Sequence, residues 1–131
     1  MQPKVCTIIV NYNGTEDTIA CLESLRKATY SNHTAVIVDN ASKETSSLKN
    51  YVEDAGFHFF GLKENGGFAA GNNNGIRYAL ECIADIDYFL LLNNDTEVDP
   101  HFIEPLVEEC EKDPQVGACG SHINYYANRD E

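Results

Sequence analysis

Val5-Cys6-Thr7-Ile8-Ile9-Val10, followed at once by Asn11-Tyr12-Asn13-Gly14, is the stretch on which the fold turns. A run rich in β-branched residues, with no polar alternation, makes a strand covered on both faces, as in parallel sheets flanked by helices. The Asn/Gly cluster stops it. Thr15 or Asp17 can then open a helix in which Ile19, Leu22 and Leu25 recur at helical spacing.

The same alternation continues along the chain. Ala35 to Val38 is a second buried strand, ended by Asp39-Asn40-Ala41-Ser42, and a helix with Leu48, Tyr51 and Val52 on one side follows. Phe57 to Leu62 is a shorter third strand. An Asn/Gly-rich segment from Glu64 to Gly75 leads into a helix carrying Ile76, Leu80 and Ile83. Tyr88 to Leu92 is the fourth strand, stopping at Asn93-Asn94-Asp95. Asp99-Pro100 predicts a helix start, with Pro at the first helical position and Asp as cap. Phe102, Ile103, Leu106, Val107 and Cys110 form that helix's inner face, and Val116 to Ile123 reads as a last strand. Without repeats or a Pro/Gly/Ser linker, residues 1–131 read as one domain. The pattern is that of an α/β protein, a Rossmann-like three-layer α/β/α sandwich around a mostly parallel sheet.

Composition narrows the function classes. The net charge of −12 argues against nucleic acid or an anionic membrane surface as a partner. From Asp95 onward ten acidic residues face two basic ones, so any phosphate bound here needs a metal ion, backbone N–H groups, or both. The longest uninterrupted apolar run, Tyr88 to Leu92, is far short of the roughly 20 residues of a membrane span. Met1-Gln2-Pro3-Lys4 enters the first strand without the apolar core of a signal peptide. Five cysteines without C-x-x-C spacing fit reduced thiols, and a cytoplasmic location is expected.

In open α/β sheets ligands bind at the carboxyl ends of the strands. That edge is expected to carry Asn11, Tyr12, Asp39, Asn40, Asn93, Asn94 and Asp95. The segment Asn93-Asn94-Asp95-Thr96-Glu97-Val98-Asp99 offers oxygen ligands suited to Mg2+ or Mn2+ completed by substrate phosphates. The same residues also suit a plain loop of Asx turns, and the motif alone does not separate the two. A calcium loop is excluded, because Pro100 stands where the glycine is needed. Asp39 can accept a hydrogen bond from a base imide or cap the turn that follows it. Tyr12 can stack on a base or close its turn. Gly67, Gly71 and Gly75, spaced by four, predict one helical face that packs closely, and Gly66 and Gly67 let the backbone approach a ligand. The segment is neither G-x-G-x-x-G nor a P-loop.

Taken in order, V-x-x-Y-N-G, V-D-N-A-S, N-G-G-F-A-A-G-N-N-N-G-I and L-L-L-N-N-D-T-E-V-D-P resemble family 2 glycosyltransferases, most closely their rhamnosyltransferase-like members. The resemblance runs from about Val5 to Ile123. It implies a GT-A fold that binds a nucleoside-diphosphate sugar, with Mg2+ or Mn2+ between the phosphates and the last Asp of a D-x-D-like triplet. Asp95 matches the metal-binding Asp, and Asn93 takes the place of the first Asp. Asp39 matches the residue that reads the pyrimidine of a UDP- or dTDP-sugar, with Asn11 and Tyr12 in the nucleoside-contacting turn. Asn65, Gly67 and Asn73 match positions lining the site, and Asn94 lies within the triplet. The resemblance further implies an inverting transfer to a glycan or lipid-linked acceptor. The acceptor-binding half and the catalytic base are then expected beyond residue 131, and the parent enzyme can sit at the inner face of a membrane.

Two other readings compete. A nucleotidyltransferase of similar topology would carry a basic Gly-rich loop after the first strand, whereas residues 11–17 hold no Lys or Arg. A non-catalytic nucleotide- or sugar-binding module is disfavoured by the presence of Asp39 and Asp95 together.

Overall fold

Among the described residues four strands are laid side by side in one parallel sheet: β1 (Val5–Asn11), β2 (His33–Asn40), β3 (His58–Leu62) and β4 (Tyr88–Asn93). Their order is β3-β2-β1-β4, so β1 is flanked on both edges and β4 closes one side of the sheet among the described residues. The helices are α1 (Thr15–Arg26), α2 (Ser46–Asp54), α3 (Phe68–Cys82) and α4 (Ile103–Lys112). The structure, a computed structural model, describes residues 2–112. The strand expected over Val116 to Ile123 lies outside them.

The burial of β1 explains its sequence, since all seven residues are buried. Alternate side chains leave opposite faces of a strand. Val5 and Ile9 join Leu22, Leu25, Ile37, Leu48, Val52, Ile103 and Val107 in the core beneath α1, α2 and α4. Cys6, Ile8 and Val10 join Val36, Val38 and Ala79 beneath α3. The sheet is thus the middle layer of the expected α/β/α sandwich. Each fully buried Val, Leu or Ile contributes about 1.5–3 kcal/mol relative to exposure, so the double-sided core fixes the register of β1 strongly.

Glycine sets how close α3 comes. A Cβ on Gly75 would stand 2.7 Å from Val38 Cγ2 and 2.8 Å from Ile8 Cγ2, and one on Gly71 would stand 2.9 Å from Val10 Cγ1. The expected close packing holds for these two but not for Gly67. There φ is +96°, nothing lies within 4 Å of an added Cβ, and the residue is the N-cap of α3. Its need for glycine is the backbone angle, not contact.

The helix expected at Asp99-Pro100 begins later, at Ile103. Asp99 caps a separate turn, accepting from His101 N at 2.8 Å through Oδ1 and from Phe102 N at 3.1 Å through its carbonyl. The proline inside α4 is Pro105, in the first turn, where the missing N–H has no intrahelical partner to lose. Residue 100 is used elsewhere, its carbonyl receiving Thr29 N at 2.8 Å. No described helix is long and apolar enough to cross a membrane.

Candidate functional site

The parallel register delivers the polar residues to one edge. Asn11 is the ladder partner of Asp39, and Val10 that of Asn93, so the strands on either side of β1 end level with it. At this edge Asp39 is 1% exposed and Asn11 is fully buried. Asp39 Oδ1 accepts from Asn11 Nδ2 at 2.8 Å and from Ser42 Oγ at 2.6 Å, while Oδ2 accepts from Ser42 N at 2.9 Å. The turn-capping role of Asp39 is therefore realised, and Oδ2 keeps acceptor capacity for one more donor. Ser42 Oγ also accepts from Asn13 N at 2.8 Å, and Asn13 Oδ1 accepts from Lys43 N at 2.9 Å. These bonds bind the loop after β1 to the loop after β2.

The loop after β4 is fastened to α1. Asn94 Nδ2 donates to Thr18 Oγ1 at 3.1 Å, Cys21 Sγ to Asn93 O at 3.7 Å, and Val98 N to Ser24 Oγ at 3.1 Å. Thr18, Cys21 and Ser24 recur every third residue, so they share one face of the helix. Thr18 Oγ1 in turn donates to Asn11 Oδ1 at 2.7 Å. Neither Thr18 nor Ser42 stands out in the sequence. The available signal is a set of small hydroxyl or thiol residues threaded between the apolar Ile19, Leu22 and Leu25.

Asp95 stands exposed just past β4, and among the described residues its carboxylate accepts no hydrogen bond and pairs with no cation. No three His, Cys, Asp or Glu side chains converge on a metal-sized space among those residues, so Glu97 and Asp99 do not complete a cage with it. A cation held by one carboxylate and finished by phosphate oxygens and water fits this arrangement, which is the habit of Mg2+. Cys21 offers no competing soft ligand. Burial, reinforced by the negative charge of Asp95, pushes its thiol up to about 12.

The Asn/Gly segment supplies the third side. Asn65 Oδ1 accepts from Gly67 N at 2.9 Å, and Asn40 Nδ2 donates to Gly67 O at 3.0 Å, pinning the start of α3 to the end of β2. No side chain caps α3, so its first N–H groups are free for an acceptor. Asn73 points outward and is exposed, whereas its neighbour Asn72 is 5% exposed. The Oδ1 atoms of Asn40 and Asn72 are buried without a partner, each in want of a donor. Tyr12 and Phe68 leave large aromatic surfaces in solvent at this edge, 53% and 54% exposed. An open cleft of about 590 Å³ lies alongside, between Asn13, Gly14, Thr15, Glu16 and Asp17 and the facing Lys43 and Glu44.

This architecture is shared with proteins solved as nucleotide-sugar complexes. The mannosyltransferase PcManGT from Pyrobaculum calidifontis, solved with GDP-Man and Mn2+, superposes with a TM-score of 0.78 at 20% identity, over 93% of this chain and 36% of that one. S. aureus TarS 1–349, solved with UDP-GlcNAc, gives 0.71 at 18% identity, over 83% and 31%. Residues 6–131 match glycosyl transferase family 2, and the chain belongs to that family. Among its relatives, the low-salt glycan biosynthesis hexosyltransferase Agl10 of Haloferax volcanii is 33% identical over 99 residues, 76% of this chain and 30% of its own length. The glycosyltransferase GlyG of Streptococcus pneumoniae is 26% identical over 129 residues, 95% of this chain and 41% of its own length. The chain therefore spans well under half of either relative.

Proposed function

We propose that this domain binds the nucleoside-diphosphate sugar of a metal-assisted, inverting glycosyltransferase whose acceptor half and catalytic base lie outside residues 1–131. The observation carrying this reading is the pair of carboxylates at one sheet edge. Asp39 is buried with a single lone-pair direction in reserve, and Asp95 is exposed without a partner. One suits a base imide N–H and the other a metal. Asn11 supports Asp39 from below. Tyr12 lies against the base, Asn65 and Gly67 set the start of α3 beside the donor, Asn73 contacts it from the helix surface, and Asn93 and Asn94 flank the metal position. When bound, Mg2+ or Mn2+ supplies charge for the departing diphosphate. Complexes of fold neighbours with UDP-GlcNAc and with GDP-Man and Mn2+ support a nucleotide-sugar donor. For this chain an acceptor at Asp39 suits the imide N–H of uridine or thymidine and disfavours cytidine, which has no N–H at that position, and a glycan or lipid-linked acceptor is expected.

Titration calorimetry of residues 1–131 with UDP, dTDP and CDP, each with Mn2+ and with chelator, tests the reading. UDP or dTDP is expected to bind better than CDP and more tightly with the metal than with chelator, with little or no sugar transfer by the isolated chain. Equal affinity in chelator would remove the metal from the site, and no binding of any nucleotide would remove the function.

A further inference from the structure

The bonds described above form one directed chain: Asn94 Nδ2 to Thr18 Oγ1 at 3.1 Å, Thr18 Oγ1 to Asn11 Oδ1 at 2.7 Å, and Asn11 Nδ2 to Asp39 Oδ1 at 2.8 Å. Every donor points toward the carboxylate. The direction is forced, because an ionised carboxylate only accepts. Asp39 makes Asn11 present its NH2, so the other end of that amide, Oδ1, must face Thr18. The Thr18 hydroxyl has one hydrogen, spends it on Asn11, and can then only accept from Asn94. Asn94 must present its NH2 to Thr18, and its Oδ1 is the atom turned away. Asn11 and Thr18 are fully buried, so water does not intervene to scramble the sense of these bonds.

We infer that Thr18 and Asn11 are positioning residues that transmit the acceptor-only character of Asp39 to Asn94, fixing its amide with oxygen rather than nitrogen left for the donor and its metal. The inference rests on the donor-binding reading for its consequence. A carbonyl-type oxygen beside Asp95 is a hard ligand or a hydroxyl acceptor, whereas an NH2 there would face a cation with its own positive hydrogens. The residue that reads the base and the loop that holds the diphosphate are therefore linked inside the protein before any ligand arrives.

The test uses Thr18→Val, which keeps the shape and loses both bonds, and Thr18→Ser, which keeps the hydroxyl. In ligand-free chain, the side-chain NH2 signals of Asn94 are assigned in nitrogen–proton spectra by their disappearance in Asn94→Ala. Asp39→Asn is expected to shift them in the wild-type and Thr18→Ser backgrounds and to leave them unmoved in the Thr18→Val background. No shift in the wild-type background, or the same shift in the Thr18→Val one, overturns the relay. With ligand, Thr18→Val is expected to weaken UDP with Mn2+ roughly tenfold, the equivalent of one hydrogen bond. Metal-free UMP, which reaches Asp39 without the metal, should change by less than about twofold, and Thr18→Ser should restore the wild-type value. Equal losses for the two ligands reduce Thr18 to support of the fold and overturn the positioning role. If the wild type binds neither ligand, the donor-binding reading falls, while the ligand-free spectra still decide the relay.

Discussion

Asn11 and Asp39 face each other across the ladder between β1 and β2 and are joined side chain to side chain at 2.8 Å, with neither residue more than 1% exposed. A buried carboxylate is tolerated only while hydrogen bonds replace water. Asn11→Leu removes one of three, and a loss of about 1–3 kcal/mol in folding stability is expected. Urea unfolding at neutral pH measures it; an unchanged midpoint would mean that the bond has no energetic weight.

The two aromatic residues at the edge separate binding from stability. Tyr12 is 53% exposed, so Tyr12→Ala is expected to leave the unfolding midpoint within about 0.5 kcal/mol of wild type, as surface changes do. Nucleotide affinity should nevertheless fall about tenfold, because stacking on a base contributes about 1–3 kcal/mol. Calorimetry and urea titration of the same variant give both numbers.

Asp95→Ala is expected to abolish the metal-dependent part of UDP binding and to leave the metal-free part. Asp39→Ala is expected to weaken binding and to relax the choice of base. Titrations of both variants against UDP and CDP, with Mn2+ and with chelator, distinguish the two effects.

Gly75→Ala brings a methyl to 2.7 Å from Val38, and overpacking of this kind costs about 1–3 kcal/mol. Alanine's helix preference returns at most about 1 kcal/mol. A net destabilisation is expected, relieved in the double variant with Val38→Ala. Additive losses in the pair would show that the close approach of α3 is not the cause.

Acid should weaken the fold in two steps. Burial holds His33 below its ordinary 6.5, so the folded chain favours the neutral ring. Its contribution is complete above that value and is lost as pH falls below it. The Thr29 hydroxyl holds Glu104 below its ordinary 4.5, so its contribution is present above that value and fades as pH falls through the lower folded one. Urea midpoints between pH 8 and 2 should fall first near the histidine range and again below the ordinary glutamate value, and His33→Phe should remove the first step alone.

Much of this was legible in the residues. The unbroken apolar runs at Val5, Ala35 and Tyr88 specify buried parallel strands, and each ends in the Asn/Asp cluster that forms the edge. The site was harder to read where a side chain serves its neighbours. Asn11 carries the signature of a contact residue but is consumed by Thr18 and Asp39. Thr18 looks like an ordinary helix residue and gains meaning only from Asn94, which approaches from 76 positions away. Asn72 and Asn73 are indistinguishable in sequence, and only the phase of α3 against the sheet buries the first and exposes the second. Asp99-Pro100 satisfies a helix-cap rule, yet the chain uses it in a turn held to Thr29, and the helix starts only at Ile103.

The central place of β1 in the order β3-β2-β1-β4 sets a timetable for synthesis. Its partner β2 follows one helix later, but its other edge stays open until β4 is made, after α2, β3 and α3. Contacts between distant parts of a chain form late. A nascent chain can therefore seat Asn11 against Asp39 early, while Asp95 and the last link of the relay arrive together with β4. While residues 40–93 are being made, the chain already carries both members of the Asn11–Asp39 pair that would read a base and still lacks Asp95, which would hold a phosphate through its metal.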